Sequence, residues 1–153
     1  EGDTVCHWQG HAVRAIAVPG HDAGHLALAP DDMRWMIVGD LYQGVGTVVI
    51  GPPEGNMAHY FASLEKVIQL APGLTVPSHG IALPGTRQIE KTLAHRKMRE
   101  DRVLELSLQG HSVDDIVAQE YAQVPKALWP LAKMNVEGHL DKLRGEGRIG
   151  GPH

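Results

Sequence analysis

Three short stretches limit what this chain can fold into, because each ends an apolar run with glycine or proline and then presents a metal-type ligand. They are Val18-Pro19-Gly20-His21-Asp22-Ala23-Gly24-His25, Val38-Gly39-Asp40 and Pro77-Ser78-His79-Gly80. Apolar runs punctuated in this way read as strands, and strand ends beside glycines are where α/β proteins hold ligands. An imidazole, a carboxylate and a second imidazole arriving from separate strand ends make up the kind of set from which hydrolytic metal sites are built. None of the three is specific alone; their order is.

The flanking pattern supplies the strands. Residues 4–18 alternate on a period of two and turn at Gln9-Gly10, which predicts a hairpin ending at Pro19-Gly20. Leu26–Leu28 and Trp35–Val38 read as two more strands joined by a turn at Pro30–Asp32, and Thr47–Ile50 as a short extended piece. Asn56 is a good N-cap for a helix from Met57 to about Leu70, with Met57, Phe61, Leu64 and Ile68 on its apolar face. Pro72-Gly73 stops it, and Leu74–Val76 delivers His79.

After Gly85 the texture changes, and the domain boundary is placed near residue 86. Residues 87–108 are charged, helix-favouring and free of Gly and Pro. Ser112–Asp115 resembles a capping box opening a second helix, and Pro125 opens a third, in which Trp129 and Leu131 are expected in the core. Gly145–Ile149 reads as a turn into a short strand. Three helices and a terminal β piece form a winged-helix pattern. The cluster Arg96, Arg99 and Arg102 is read as a solvated helix face neutralised by Glu100, Asp101 and Glu105. Contact with an RNA strand is its alternative.

Charge and composition exclude several functions. Residues 1–86 hold three Lys/Arg against eight Asp/Glu, and residues 87–153 hold eleven against ten. Neither half is basic enough for avid binding of duplex DNA. No apolar run approaches a membrane span and no signal peptide is visible, so a soluble, cytoplasmic protein is expected. The single cysteine, Cys6, forms no internal disulfide and reads as a small strand residue.

The order V-P-G-H-D-A-G-H, I-V-G-D-L, P-S-H-G resembles the later motifs of the metallo-β-lactamase superfamily. The tail from A-H-R-K-M-R-E-D-R to H-L-D-K-L-R-G-E-G-R-I resembles the winged-helix extension of its β-lactamase-like protein 2 branch. The resemblance implies an α/β fold, the C-terminal half of an αββα sandwich over residues 1–86, with a winged-helix-like domain over residues 87–153. It implies that His21 binds one metal, that His79 binds a second and that Asp40 bridges the two, making Asp40 the catalytic residue as well. Ser78 stands where the family has glycine.

The family's H-x-H-x-D-H motif, which supplies most of the ligands, occurs nowhere in this sequence. The expectation is therefore the C-terminal part of a longer binuclear hydrolase, inactive on its own, whose two divalent cations, Zn2+, are held fully only in the parent. Its substrate would be an ester, a thioester or a phosphodiester, single-strand RNA included. A non-catalytic winged-helix interaction module is the alternative. His25 is either a donor that orients His21 or Asp40, or a strand-start histidine satisfied by backbone. Because half of a sandwich leaves an apolar face open, self-association is expected.

Overall fold

The computed structural model describes residues 2–44 and 46–150. Strands β1 (Thr4–Trp8) and β2 (His11–Ala17) form the hairpin, with Gln9 at φ 49° and Gly10 at φ 86°. Positive φ at both turn residues matches the twist of a tight two-residue hairpin. Strands β3 (Leu26–Pro30) and β4 (Met36–Gly39) continue the meander, and helix α1 (Met57–Leu70) crosses to β5 (Leu74–Pro77). A two-residue strand, β6 (Leu83–Pro84), closes the sheet, whose order follows the chain from β1 to β6. Only β4 and β5 are parallel; every other neighbouring pair is antiparallel. With those directions, the C-terminal ends of β2, β4 and β5 all reach the same edge of the sheet.

One face of the sheet is packed and the other is open. Ile16, Ala27, Ala29, Met36 and Val38 point to α1, where they meet Met57, Tyr60, Leu64 and Val67 in the larger of two apolar cores. The opposite face carries a row aligned across four strands, Ala15–Leu28–Ile37–Val76. Beside it Leu26 pairs with Ala17, and both Leu26 (52% exposed) and Ile37 (43%) remain accessible.

The second half is helical: α2 (Arg87–Leu108), α3 (Val113–Glu120) behind its Ser112–Asp115 capping box, a 3-10 turn at Lys126–Leu128, and α4 (Trp129–Gly145). Pro130 falls in the first turn of α4, where a missing N–H costs nothing. The smaller core gathers Val103 and Leu106 of α2, Ile116 and Val117 of α3, and Val136, Leu140 and Leu143 of α4. Helix α2 serves both cores, since its Ile89 and Leu93 belong to the larger one.

Three local expectations are corrected. Residues 146–149 form a turn rather than a strand: Arg148 N–H donates to Leu143 O, and Ile149 packs on the smaller core. Leu131 is 45% exposed, not core. The basic cluster is not uniformly solvated, for Arg96 (2% exposed) and Glu100 (4%) point inward. Arg96 donates to Asn135 Oδ1 at 3.0 Å and to the Val48 carbonyl, and its guanidinium lies 5.5 Å from the Tyr60 ring centroid. Glu100 accepts from Lys142 at 2.8 Å and from His139 Nδ1 at 3.3 Å. Burial pushes the His139 pKa down, against the pull of Glu100, and keeps the imidazole neutral. Although burial opposes it, the hydrogen bonds from His139 and Lys142 hold Glu100 below the usual carboxylate range.

Residues 47–50, expected as an extended piece, belong to no ladder. Side chains satisfy their backbone instead: Arg96 at Val48 O, His21 at Val49 O and Asn135 Oδ1 at Ile50 N (2.9 Å). Among the described residues, no helix is long and apolar enough to cross a membrane.

Candidate metal centre

The loop carrying His21 leaves β2 and is pinned against α1. Asn56 N–H donates to Gly20 O at 2.8 Å, and Ser63 Oγ donates to Pro19 O at 2.6 Å. Gly20 has φ 141°, and a Cβ there would lie 2.3 Å from Tyr60 Cα, so helix and loop meet only because this residue is glycine. Asp22 Oδ1 accepts from Gly24 N–H at 2.7 Å and shapes the return to His25. The His21 Nδ1 atom lies 3.1 Å from Val49 O. A carbonyl only accepts, so Nδ1 carries the proton and Nε2 offers its lone pair. This is the tautomer and tether that metal-binding imidazoles use.

Asp40 follows β4 directly. Gly39, at φ 58°, turns the chain there, and a Cβ on it would sit 2.5 Å from His25 Nε2. The His25 imidazole therefore lies across the missing side chain, immediately beside Asp40. Its pKa is pushed down, first by burial and then by His21, against the pull of Asp40, Asp22 and the Val38 carbonyl. Among the described residues, His25 Nδ1 and Asp40 Oδ1 are both buried without a hydrogen-bond partner. The His21 and His25 ring centroids are 6.5 Å apart.

His79 follows β5 in a loop tied to both neighbours, since Ser78 N–H donates to Gly39 O and Gly44 N–H donates to His79 O, each at 3.0 Å. Its Nε2 lies 3.7 Å from Asp40 Oδ1. That is too long for a hydrogen bond. With ligand distances of about 2.0–2.2 Å, it is a separation that two donors on one cation can take. The donor chemistry fits a divalent metal: a buried oxygen that no described residue satisfies, an imidazole facing it, and a second imidazole oriented by a carbonyl. The three donors do not close around a single point, as ligands divided between two cations would not.

Another cluster, which no sequence motif marks, lies at the opposite edge of the sheet. His11, Asp31 and Asp32 are the only three acidic or imidazole residues among the described ones whose donor atoms lie within 4.8 Å of one another. His11 Nδ1 bonds Asp31 Oδ1 at 2.7 Å, and Arg34 Nε bonds Asp32 Oδ2 at 2.6 Å. The guanidinium already supplies the cation, so this is an exposed ion-pair network. Only the β2–β3 register brings His11 to Asp31, which is why motif reading missed it.

Residues 112–150 match the family described as the beta-lactamase associated winged helix domain. The beta-lactamase-like protein 2 homolog of Drosophila melanogaster is 33% identical over 146 residues, covering 92% of this chain and 48% of that protein. An atrochrysone carboxyl ACP thioesterase of Aspergillus fumigatus is 29% identical over 102 residues, covering 67% of the chain and 31% of the protein. The solved beta-lactamase domain protein from Burkholderia ambifaria superposes with a TM-score of 0.81 at 27% identity, covering 96% of this chain and 46% of its own. The chain thus spans about half the length of the curated relative it matches over nearly its whole extent.

Proposed function

We propose, from the premise that the chain belongs to the metallo-β-lactamase superfamily, that it supplies the later half of a two-metal hydrolytic centre. The observation that carries this is the buried Oδ1 of Asp40, which has no hydrogen-bond partner among the described residues and stands 3.7 Å from His79 Nε2. In this reading residues 1–86 carry the ligand edge and residues 87–153 form the winged-helix-like module beside it. His21, Asp40 and His79 would hold two divalent cations such as Zn2+, His21 and His79 serving one each and Asp40 shared by both. Bound there, such a pair would supply Lewis-acid activation of water for hydrolysis of an ester, thioester or phosphodiester. The protein's own contribution is orientation. Val49 O fixes the tautomer of His21, and Gly39 lets His25 close on the approach to Asp40. The Aspergillus relative, a thioesterase, favours the ester-like substrates.

Three donors leave each cation short of the three or four protein ligands that a tight zinc site needs. This chain alone should therefore bind Co2+ or Zn2+ weakly and hydrolyse little. Co2+ titration followed by visible absorption tests the assignment. His21→Gln, Asp40→Asn and His79→Gln should each weaken binding at least about 10-fold, and His25→Gln, acting only through its neighbours, less. Unchanged Co2+ spectra in all three ligand variants would overturn the reading.

We also propose that a second copy of the chain covers the open apolar face around Leu28, Ile37 and Leu26 when nothing else does. Light scattering should show a dimer that Ile37→Lys returns to monomer. A monomer at high concentration before any substitution would remove this proposal.

A further inference from the structure

A groove of about 430 Å3 lies between the segment after Asp40 and the connection from α3 to α4. Gln43, Thr47 and Val49 form one wall, and Val124, Leu128 and Leu131 form the other. Its size is that of a small-molecule site. Val49 belongs to both the groove and the candidate metal centre: its carbonyl oxygen holds His21 Nδ1 at 3.1 Å, while the residue lines the groove. The groove therefore reaches the residue whose carbonyl holds His21. Leu128 and Leu131 are 48% and 45% exposed on the rim, an arrangement a helical module does not need for its own core.

The lining discriminates between ligand classes. Among the described residues, the groove has no side chain that is charged at neutral pH. Lys126, the basic residue within the opposite wall's segment, has its Nζ over the Trp129 ring, 5.6 Å from the centroid. A nucleic-acid strand needs cations along its phosphates and open aromatic faces for its bases. The one aromatic ring here, Tyr121, is already covered by the Arg99 guanidinium at 4.7 Å.

We propose that this groove is the acyl-chain subsite of the centre and that it selects neutral ester or thioester substrates carrying a medium-length apolar chain. The proposal rests on the metal-centre reading above for what happens to the substrate, but not for its binding. The scissile carbonyl would lie towards His21 and Asp40, with the chain running past Val49 towards Leu131.

The test uses the methyl resonances of Val49, Val124, Leu128 and Leu131 in this chain, titrated with S-octanoyl-N-acetylcysteamine, its S-acetyl counterpart and a decauridylate. The octanoyl probe should shift these methyls and bind at least about 10-fold more tightly than the acetyl probe, since each buried methylene adds to affinity. The decauridylate should leave them unmoved. Leu131→Asp and Leu128→Asp, both at exposed positions, should each weaken octanoyl binding about 10-fold or more without changing the Co2+ titration. His21→Gln should do the reverse. Equal affinity for the two thioesters, octanoyl binding unaffected by both aspartate variants, or methyl shifts with the decauridylate alone would overturn the acyl subsite. A loss of Co2+ dependence on His21, Asp40 and His79 would instead strike only the metal reading.

Discussion

Gly138→Ala should destabilise the protein by about 2–3 kcal/mol, although alanine is the better helix former by up to about 1 kcal/mol. The sign is set by packing. A Cβ at position 138, inside α4, would lie 2.5 Å from Ile50 O. The contact repeats from the other side, where a Cβ on Gly51 would lie 2.3 Å from Met134 O. Both obstacles are backbone, so neither can swing away as a side-chain tip would, and the helix must lift off the segment it rests on. Urea unfolding at neutral pH measures the difference. A midpoint that rises, as propensity alone dictates, would show that α4 does not make this approach.

Arg96→Met should cost about 1–3 kcal/mol by the same measurement, the penalty of leaving a buried acceptor unpaired. The substitution keeps much of the stem's volume, so the loss reports the guanidinium. Without it Val48 O is left buried and unpaired, and Asn135 Oδ1 keeps only the Ile50 N–H. Arg96→Lys should recover little, because one ammonium cannot span the two acceptors that the fork reaches. A loss below about 1 kcal/mol would mean that water replaces the arginine there.

Where local rules decide, the residues could be read in advance. Asn56 caps α1, with His59 N–H donating to its Oδ1 at 2.9 Å, and Ser112 and Asp115 make the reciprocal capping bonds. The absence of Gly and Pro over residues 87–108 marks α2 from Arg87 to Leu108. The strand-end placement of His21, Asp40 and His79 is legible because glycine or proline announces each strand's end. What failed depends on partners distant in the chain. Arg96 and Glu100 stand among charged neighbours in the sequence but fall on the buried face of α2, where Asn135 and His139, each 39 residues on, meet them. The position of His25 over Gly39 needs the β3–β4 pairing. Residues 47–50 alternate like a strand yet find their partners in side chains from opposite directions.

That last segment ties two free energies together. Val48 O and Ile50 N–H are gripped from the helical side by Arg96 and Asn135, while the carbonyl between them aims His21. On the proposed metal reading, the imidazole would hold a cation in register only while the helices hold the strip. By thermodynamic reciprocity, whatever the helices lend to cation affinity, a bound cation returns to them as resistance to undocking. On that reading the helical module would act as an adjustable tensioner for the ligands, and changes at its buried contacts Arg96 and Asn135 would tune metal retention without altering a single ligand.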